Sequence, residues 1–398
     1  MNPELSDSNK NNVRSTPKLK NTSIGVGLAV LGLVSPLSAH ATDLRFASGY
    51  PQGSITSEAL AVFESRLDEL SGGELGARVF ELSLLNLRET PSGIRDGMAD
   101  MGVVLTPYFP GNFAHTNMVA EVSMSIELTE GGSDQAGLVY TGAMSEFIFL
   151  NCQECRDEFA AQNQLFLGSA ATPPYSLLCR EKVGSLDALE GKNLRTSGAQ
   201  WARWAESVGA NPITMSVNEI YEGLSQGVVD CSVQSTSELS VFNLFEVVDD
   251  ITVNYPSGVF SGVGSANINL DTWRSLSEAQ RQALLEATAV LSAEFSWGYE
   301  QGAVDNEETA REQGIGITQA TEAMNADNRE FIKADLKTIA QGYSERYGIE
   351  NAEARIDTFR ELLSKWRGLI DDDQSSEELA DIYWEEVFSK VDAGQYGL

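Results

Sequence analysis

Apolar side chains at Ile55, Ala59, Val62, Phe63, Leu67 and Leu70 recur every three or four positions, which places them on one face of a helix from Ser54 to Leu70. Ser71-Gly72-Gly73 ends that helix. Short apolar runs flank it, Leu44-Arg45-Phe46-Ala47 before and Ala77 to Leu82 after, and both read as strands. A short helix from Pro91 to Met98 then feeds a third strand, Met101 to Leu105. Strands alternating with helices predict an α/β fold with a parallel or mixed sheet.

One phrase occurs twice. Ile94-Arg95-Asp96-Gly97-Met98-Ala99-Asp100-Met101-Gly102-Val103 matches Leu224-Ser225-Gln226-Gly227-Val228-Val229-Asp230-Cys231-Ser232-Val233 in pattern: apolar helix end, glycine, two residues, aspartate, strand. Glycine takes the left-handed conformation that stops a helix, and aspartate suits the turn into the strand. Each copy follows a strand, Val79 to Leu82 or Ile213 to Met215. The repeat therefore predicts two similar α/β lobes.

Between the copies, Gln164 to Ala170 and Tyr175 to Cys179 read as strands separated by Ala171-Thr172-Pro173-Pro174, a proline pair suited to a crossing between lobes. Tyr255-Pro256-Ser257-Gly258 supplies a second crossing before an apolar strand from Val259 to Ile268. From Ser277 onward the pattern is mainly helical: a helix from Glu278 to about Glu312 is long enough to run along both lobes, and Ala352 to Trp366 forms another. The expected division is a leader at 1–41, lobe I at 42–172 plus about 259–302, lobe II at 173–258 plus about 303–340, and a helical extension at 341–398. Crossings in both directions describe a hinged clam with a cleft between its halves.

The leader differs from the rest of the chain. Lys10, Arg14, Lys18 and Lys20 precede an apolar stretch from Ile24 to Leu37, and Ala39-His40-Ala41 follows, so a cleaved secretory signal and a periplasmic protein are expected. That stretch is 14 residues long, short of the roughly 20 that cross a bilayer. Removing the leader's four basic and two acidic residues leaves 23 basic and 56 acidic side chains, a net charge of −33 against −31 for the whole chain. Such an acidic surface excludes nucleic acid as a partner. It also repels an anionic ligand, so any attraction for one must come from a few arginines inside a cleft.

With His40 removed, only His115 remains, and it is read as structural. Zincin helices, Ser-His-Asp triads and multi-histidine metal sites all need histidines in places where this chain has none, and no metal or organic cofactor is expected. Four cysteines, Cys152, Cys155, Cys179 and Cys231, imply two disulfides with three possible connectivities. Cys152-x-x-Cys155 also admits a redox pair or half a zinc site.

Gly191-Lys192-Asn193-Leu194-Arg195 puts an arginine at the end of a short apolar run, with Gly209 to Pro212 and Glu219-Ile220-Tyr221 downstream. A planar, always-charged fork there suits a carboxylate clamp, since it donates two parallel hydrogen bonds. The mature chain holds no P-loop or dinucleotide fingerprint, and its one G-x-S-x-G by letters, Gly223-Leu224-Ser225-Gln226-Gly227, falls in the helix-end phrase above rather than on a strand-to-helix elbow, so a binding role is favoured over catalysis.

These residues resemble the solute-binding proteins of tripartite ATP-independent periplasmic (TRAP) transporters, the DctP type. The likeness covers the mature chain to about residue 340. It is densest from Ser185 through Arg195, Gly209 to Met215, Glu219-Ile220-Tyr221 and Gly227-Val228-Val229-Asp230. The resemblance implies a receptor outside the cytoplasm that closes on an organic acid and delivers it to membrane permease subunits, with Arg195 pairing the ligand carboxylate. It also implies that Gln234 sits where relatives place an amide over the ligand. Some relatives carry a second arginine where this chain has Tyr175, with Arg180 five residues on, so a dicarboxylate is disfavoured. Tyr175 is read either as a ligand contact or as a hinge packing residue. Leu105-Thr106-Pro107-Tyr108 lacks the acidic residue by which some relatives hold an amino-sugar. Tyr50, Tyr108, Trp201 and Phe260 are the aromatic candidates for lining the cleft, and with Leu105 they favour a monocarboxylate with an apolar or aromatic body. An exported enzyme on the same scaffold, and a receptor serving another importer or a sensor, are the alternative readings.

Overall fold

In the computed structural model, which describes residues 42–371 and 373–398, these periods fold into two sheets; the expected leader lies outside the described residues. The strands are β1 (Thr42–Ser48), β2 (Leu75–Glu81), β3 (Met101–Leu105), β4 (Gln164–Leu165), β5 (Ser169–Ala170), β6 (Ser176–Cys179), β7 (Asn193–Thr196), β8 (Asn211–Thr214), β9 (Cys231–Gln234), β10 (Asp250–Val253), β11 (Val263–Asn269) and β12 (Gly316–Gln319). One six-stranded sheet runs β2-β1-β3-β11-β4, with β5 also on β11; the other runs β12-β10-β6-β9-β7-β8. In each, three parallel strands meet an antiparallel fourth, β11 against β3 and β6 against β9. The fold is α/β and two-lobed, with β2-β1-β3-β11 of the first lobe matching β8-β7-β9-β6 of the second.

The repeated phrase is the reason. Gly97 and Gly227 both adopt positive φ, 75° and 70°, which a side chain resists. The chain then turns back on its own helix: Met98 N–H donates to Gly93 O at 2.8 Å, and Val228 N–H to Gly223 O at 2.9 Å. The aspartates clip the new strand to its neighbour. Asp100 donates its N–H to Arg45 O at 2.9 Å, and its carboxylate accepts the Arg45 N–H at 2.8 Å. Asp230 does the same with Asn193, at 2.8 Å for each bond.

The two crossings lie side by side. Tyr175 N–H donates to Gly258 O at 2.8 Å, Ser257 N–H to Tyr175 O at 3.1 Å, and Thr172 N–H to Phe260 O at 3.1 Å, while Pro174 and Val259 form an antiparallel bridge. Val259 and Phe260 are therefore spent on pairing the two crossings, and the strand expected from Val259 begins only at Val263. The strand expected over Gln164 to Ala170 is split into β4 and β5, because the register of β11 shifts between Gly264 and Asn267 and the two pieces pair on either side of that bulge.

The helix Glu278–Glu312 opens with a capping box, Ser277 with Gln280. It packs on the helix Ile55–Ser71, β5 and β11 of the first lobe and reaches Glu238–Val241 and β12 of the second. The helix Ala136–Glu146, in a stretch that the apolar pattern leaves unassigned, is buried along its whole length. The helices Glu278–Glu312 and Ala352–Arg367 cover it. Gly142 lies against the Trp366 indole so closely that a Cβ would sit 2.3 Å from a ring carbon. No helix of the described residues is long and apolar enough to cross a membrane.

Candidate functional site

The carboxyl ends of the parallel strands deliver the chemistry, as in other open α/β sheets. Tyr50 follows β1, Tyr108 follows β3, Arg195 lies near the end of β7, and Gln234 is the last residue of β9. Because β6 runs antiparallel to β9, with Ser176 opposite Gln234, Tyr175 reaches the same end.

Arg195 is 1% exposed, and among the described residues it makes no salt bridge. Its Nε donates to Met215 O at 3.1 Å and its Nη1 to Gln234 Oε1 at 3.3 Å. Gln234 shares a sheet face with Ser232, the register partner of Arg195, and its Oε1 also accepts from Ser232 Oγ at 2.9 Å. Its Nε2 is buried with no hydrogen-bond partner. A buried cation without a counter-ion is costly, and an unpaired amide donor beside it adds to that cost.

Glu238, four residues beyond Gln234, is 5% exposed, and no hydrogen bond to its carboxyl is present among the described residues; Oε2 is fully buried and unpaired. Burial pushes its pKa up to about 8, with the Arg195 charge working the other way. The phenols of Tyr50, Tyr175 and Tyr299 also lie within electrostatic reach of this carboxyl, and burial raises each of their pKa values. The sequence reading missed Glu238. Its only signal is its place one helical turn after Gln234, on the same strand-to-helix connection.

The aromatic candidates split by role. Tyr175 stacks on Trp201 at 4.3 Å between centroids and lies parallel to Phe260 at 6.2 Å; Trp201 Nε1 donates to Ser257 O at 2.9 Å. These three rings pack at the paired crossings, and the Tyr175 hydroxyl, which accepts from Ser197 Oγ at 3.3 Å, lies within electrostatic reach of Arg195. Tyr108 packs edge-on to Phe260 and accepts from the Val217 N–H of the second lobe at 3.0 Å. Tyr50 meets Phe242 of the second lobe. The structure does not bring Arg180 to this cluster. It is exposed just past the far end of β6, beside Asp230 and Lys192, because a side chain five residues along a strand from Tyr175 lies at the opposite edge of the sheet.

The cysteines pair as Cys152–Cys155 and Cys179–Cys231, the second across neighbouring strands β6 and β9. His115 Nδ1 lies 2.8 Å from Glu158, outside the cluster. Asn218 Nδ2 donates to Gly49 O at 3.0 Å, tying the connection after β8 to the one after β1. Arg203 grips Asp335 at 2.6 and 2.9 Å and Glu121 at 3.1 Å. A groove of about 700 Å³, lined by Pro51, Leu82, Val217, Asn218, Tyr221 and Phe242 among others, opens beside the cluster.

Residues 46–342 match the family of bacterial extracellular solute-binding proteins, family 7 (DctP). A solute-binding protein of Chromohalobacter salexigens is 22% identical over 350 residues, 82% of this chain and 93% of that protein. A TRAP periplasmic solute-binding protein of Bordetella bronchiseptica, crystallised with (R)- and (S)-mandelate, aligns at 21% identity and TM-score 0.68 over 81% of this chain and 99% of its own. An extracytoplasmic solute receptor of Bordetella pertussis binding pyroglutamic acid aligns at 22% identity and TM-score 0.64 over 80% of this chain and 100% of its own. With the family profile covering most of its length and the two-lobed fold shared, the chain belongs to the DctP family of bacterial extracellular solute-binding proteins.

Proposed function

We propose that this protein is a periplasmic TRAP receptor, exported by a cleaved leader, that binds a monocarboxylate between its lobes and hands it unchanged to membrane permease subunits. One observation carries the reading: a guanidinium buried near the carboxyl end of β7, with no carboxylate paired to it among the described residues. Met215 O and Gln234 Oε1 hold the fork in place, so its remaining N–H groups are oriented before a ligand arrives. An organic acid then supplies the counter-charge, in a site walled off from water where the pair is strong.

The lobes would comprise residues 42–172 with about 259–302, and 173–258 with about 303–340. The paired crossings act as hinge, and Tyr108–Val217, Asn218–Gly49 and Arg203–Glu121 are contacts of the closed form. Closure must be only slightly unfavourable without ligand, or the solute would not leave at the carrier. The relatives crystallised with mandelate and pyroglutamate support an organic-acid ligand, and the hinge rings support one with an apolar or aromatic flank.

Thermal-shift screening against organic acids, followed by calorimetry, tests the reading. Wild-type protein is expected to bind at least one acid, and Arg195→Ala to abolish tight binding. Equal affinity in that variant would show the assignment to be wrong.

A further inference from the structure

We propose that Glu238 is a second ligand contact, which accepts a hydrogen bond from an O–H or N–H group of the same acid whose carboxylate Arg195 holds. The inference rests on the receptor reading above and narrows it, from acids with an apolar body to acids that also carry a hydrogen-bond donor.

Proteins pair the large majority of their buried polar side-chain atoms, and a buried carboxyl without partners is among the costliest to leave. Glu238 is such a group: 5% exposed, no hydrogen bond to either carboxyl oxygen among the described residues, Oε2 fully enclosed. It is also too far from Arg195 for a salt bridge, although it feels that charge. A buried donor fork and a buried acceptor that lie within electrostatic reach without touching can be bridged by a molecule that meets both. Gln234, whose Oε1 accepts from Arg195, adds its Nε2 as a second unsatisfied atom beside Glu238 Oε2.

The polarity of the three groups describes the solute. Arg195 and Gln234 offer donors, which suits a carboxylate. Glu238 offers an acceptor, which suits a hydroxyl, lactam or amine hydrogen. Once ionised, Glu238 would repel a second carboxylate, and a purely apolar acid would leave it without a partner. The high pKa that burial imposes on Glu238 agrees with a group solvated by neither water nor protein.

Calorimetry at pH 9, above the Glu238 pKa of about 8 so that the carboxyl is ionised, with two matched pairs tests this: mandelate against phenylacetate for a hydroxyl donor, and pyroglutamate against cyclopentanecarboxylate for an N–H donor. The wild-type protein is expected to prefer the donor-bearing acid of at least one pair by about tenfold or more, the worth of one hydrogen bond to a charged group. Glu238→Met, similar in size and unable to accept, is expected to lower that acid to the level of its donor-free partner without weakening the partner. Glu238→Gln keeps an accepting oxygen and should retain part of the preference, a rescue that a merely structural role does not predict. Equal binding within both wild-type pairs overturns the proposal, and that comparison needs no variant. Persistence of the preference in Glu238→Met also overturns it. An acid outside the pairs that binds through Arg195, while no pair member binds, overturns this inference and leaves the clamp intact. Tight binding by Arg195→Ala overturns the clamp itself.

Discussion

Replacing Arg195 by lysine keeps the charge and removes the fork, so it separates attraction from geometry. Guanidinium has five N–H donors. One goes to Met215 O at 3.1 Å and one to Gln234 Oε1 at 3.3 Å, leaving enough to hold both oxygens of a carboxylate. An ammonium has three, and two acceptors already at hand would leave one for the ligand. The ligand then loses at least one charge-assisted hydrogen bond, about 1.5–3 kcal/mol. That is a weakening of roughly 10- to 150-fold in Kd. Titration calorimetry of Arg195→Lys against wild type, using the acid with the largest thermal shift, reads this directly. Lysine binding within about threefold of wild type would mean that charge alone suffices and that the fork geometry argued here is not used.

Three further outcomes are expected. The folded state holds the Glu238 proton far more tightly than the unfolded chain does, so stability falls as pH rises from 4.5 towards about 8 and levels off above. Urea denaturation of the ligand-free protein across that range should show Glu238→Gln gaining on wild type by on the order of 4 kcal/mol, and parallel curves would contradict it. Removing Cys179–Cys231, whose partners are 52 residues apart, is expected to cost about 4 kcal/mol by loop-closure entropy. Removing Cys152–Cys155, only 3 apart, should cost about 2 kcal/mol. Denaturant midpoints of the two double-alanine variants check the order, and equal losses would refute the loop-length account.

Much of the frame was legible. The helix Ile55–Ser71 and β3 follow their apolar periods closely, and the Gly97/Asp100 and Gly227/Asp230 pairs mark equivalent turns of the two lobes. Both proline-containing crossings were found, although the pairing that delays β11 to Val263 was not, because it depends on the other crossing lying alongside. The stretch 114–161 carries no period: Ala136–Glu146 is covered on every side, so no polar face marks it as a helix. Arg195 and Gln234 were both expected to face a ligand, and their side chains do meet. Arg180 was not separable from them by spacing, since strand direction decides which edge of a sheet a residue reaches. Glu238 was one carboxylate among 56 in the mature chain, and only its enclosure without partners distinguishes it.

The order of residues alone determined the two-lobed α/β plan, because helical and strand periods, glycine turns and proline breaks are preferences of the chain over a few neighbouring positions. The tertiary structure decided which side chains share a space. Cys179 joins Cys231, Tyr175 stacks on Trp201, and Arg195, Gln234 and Glu238 converge with polar atoms still unpaired. Those relations arise from burial and strand direction across long separations, and it is burial that makes a lone cation or carboxyl costly enough to mark a binding site.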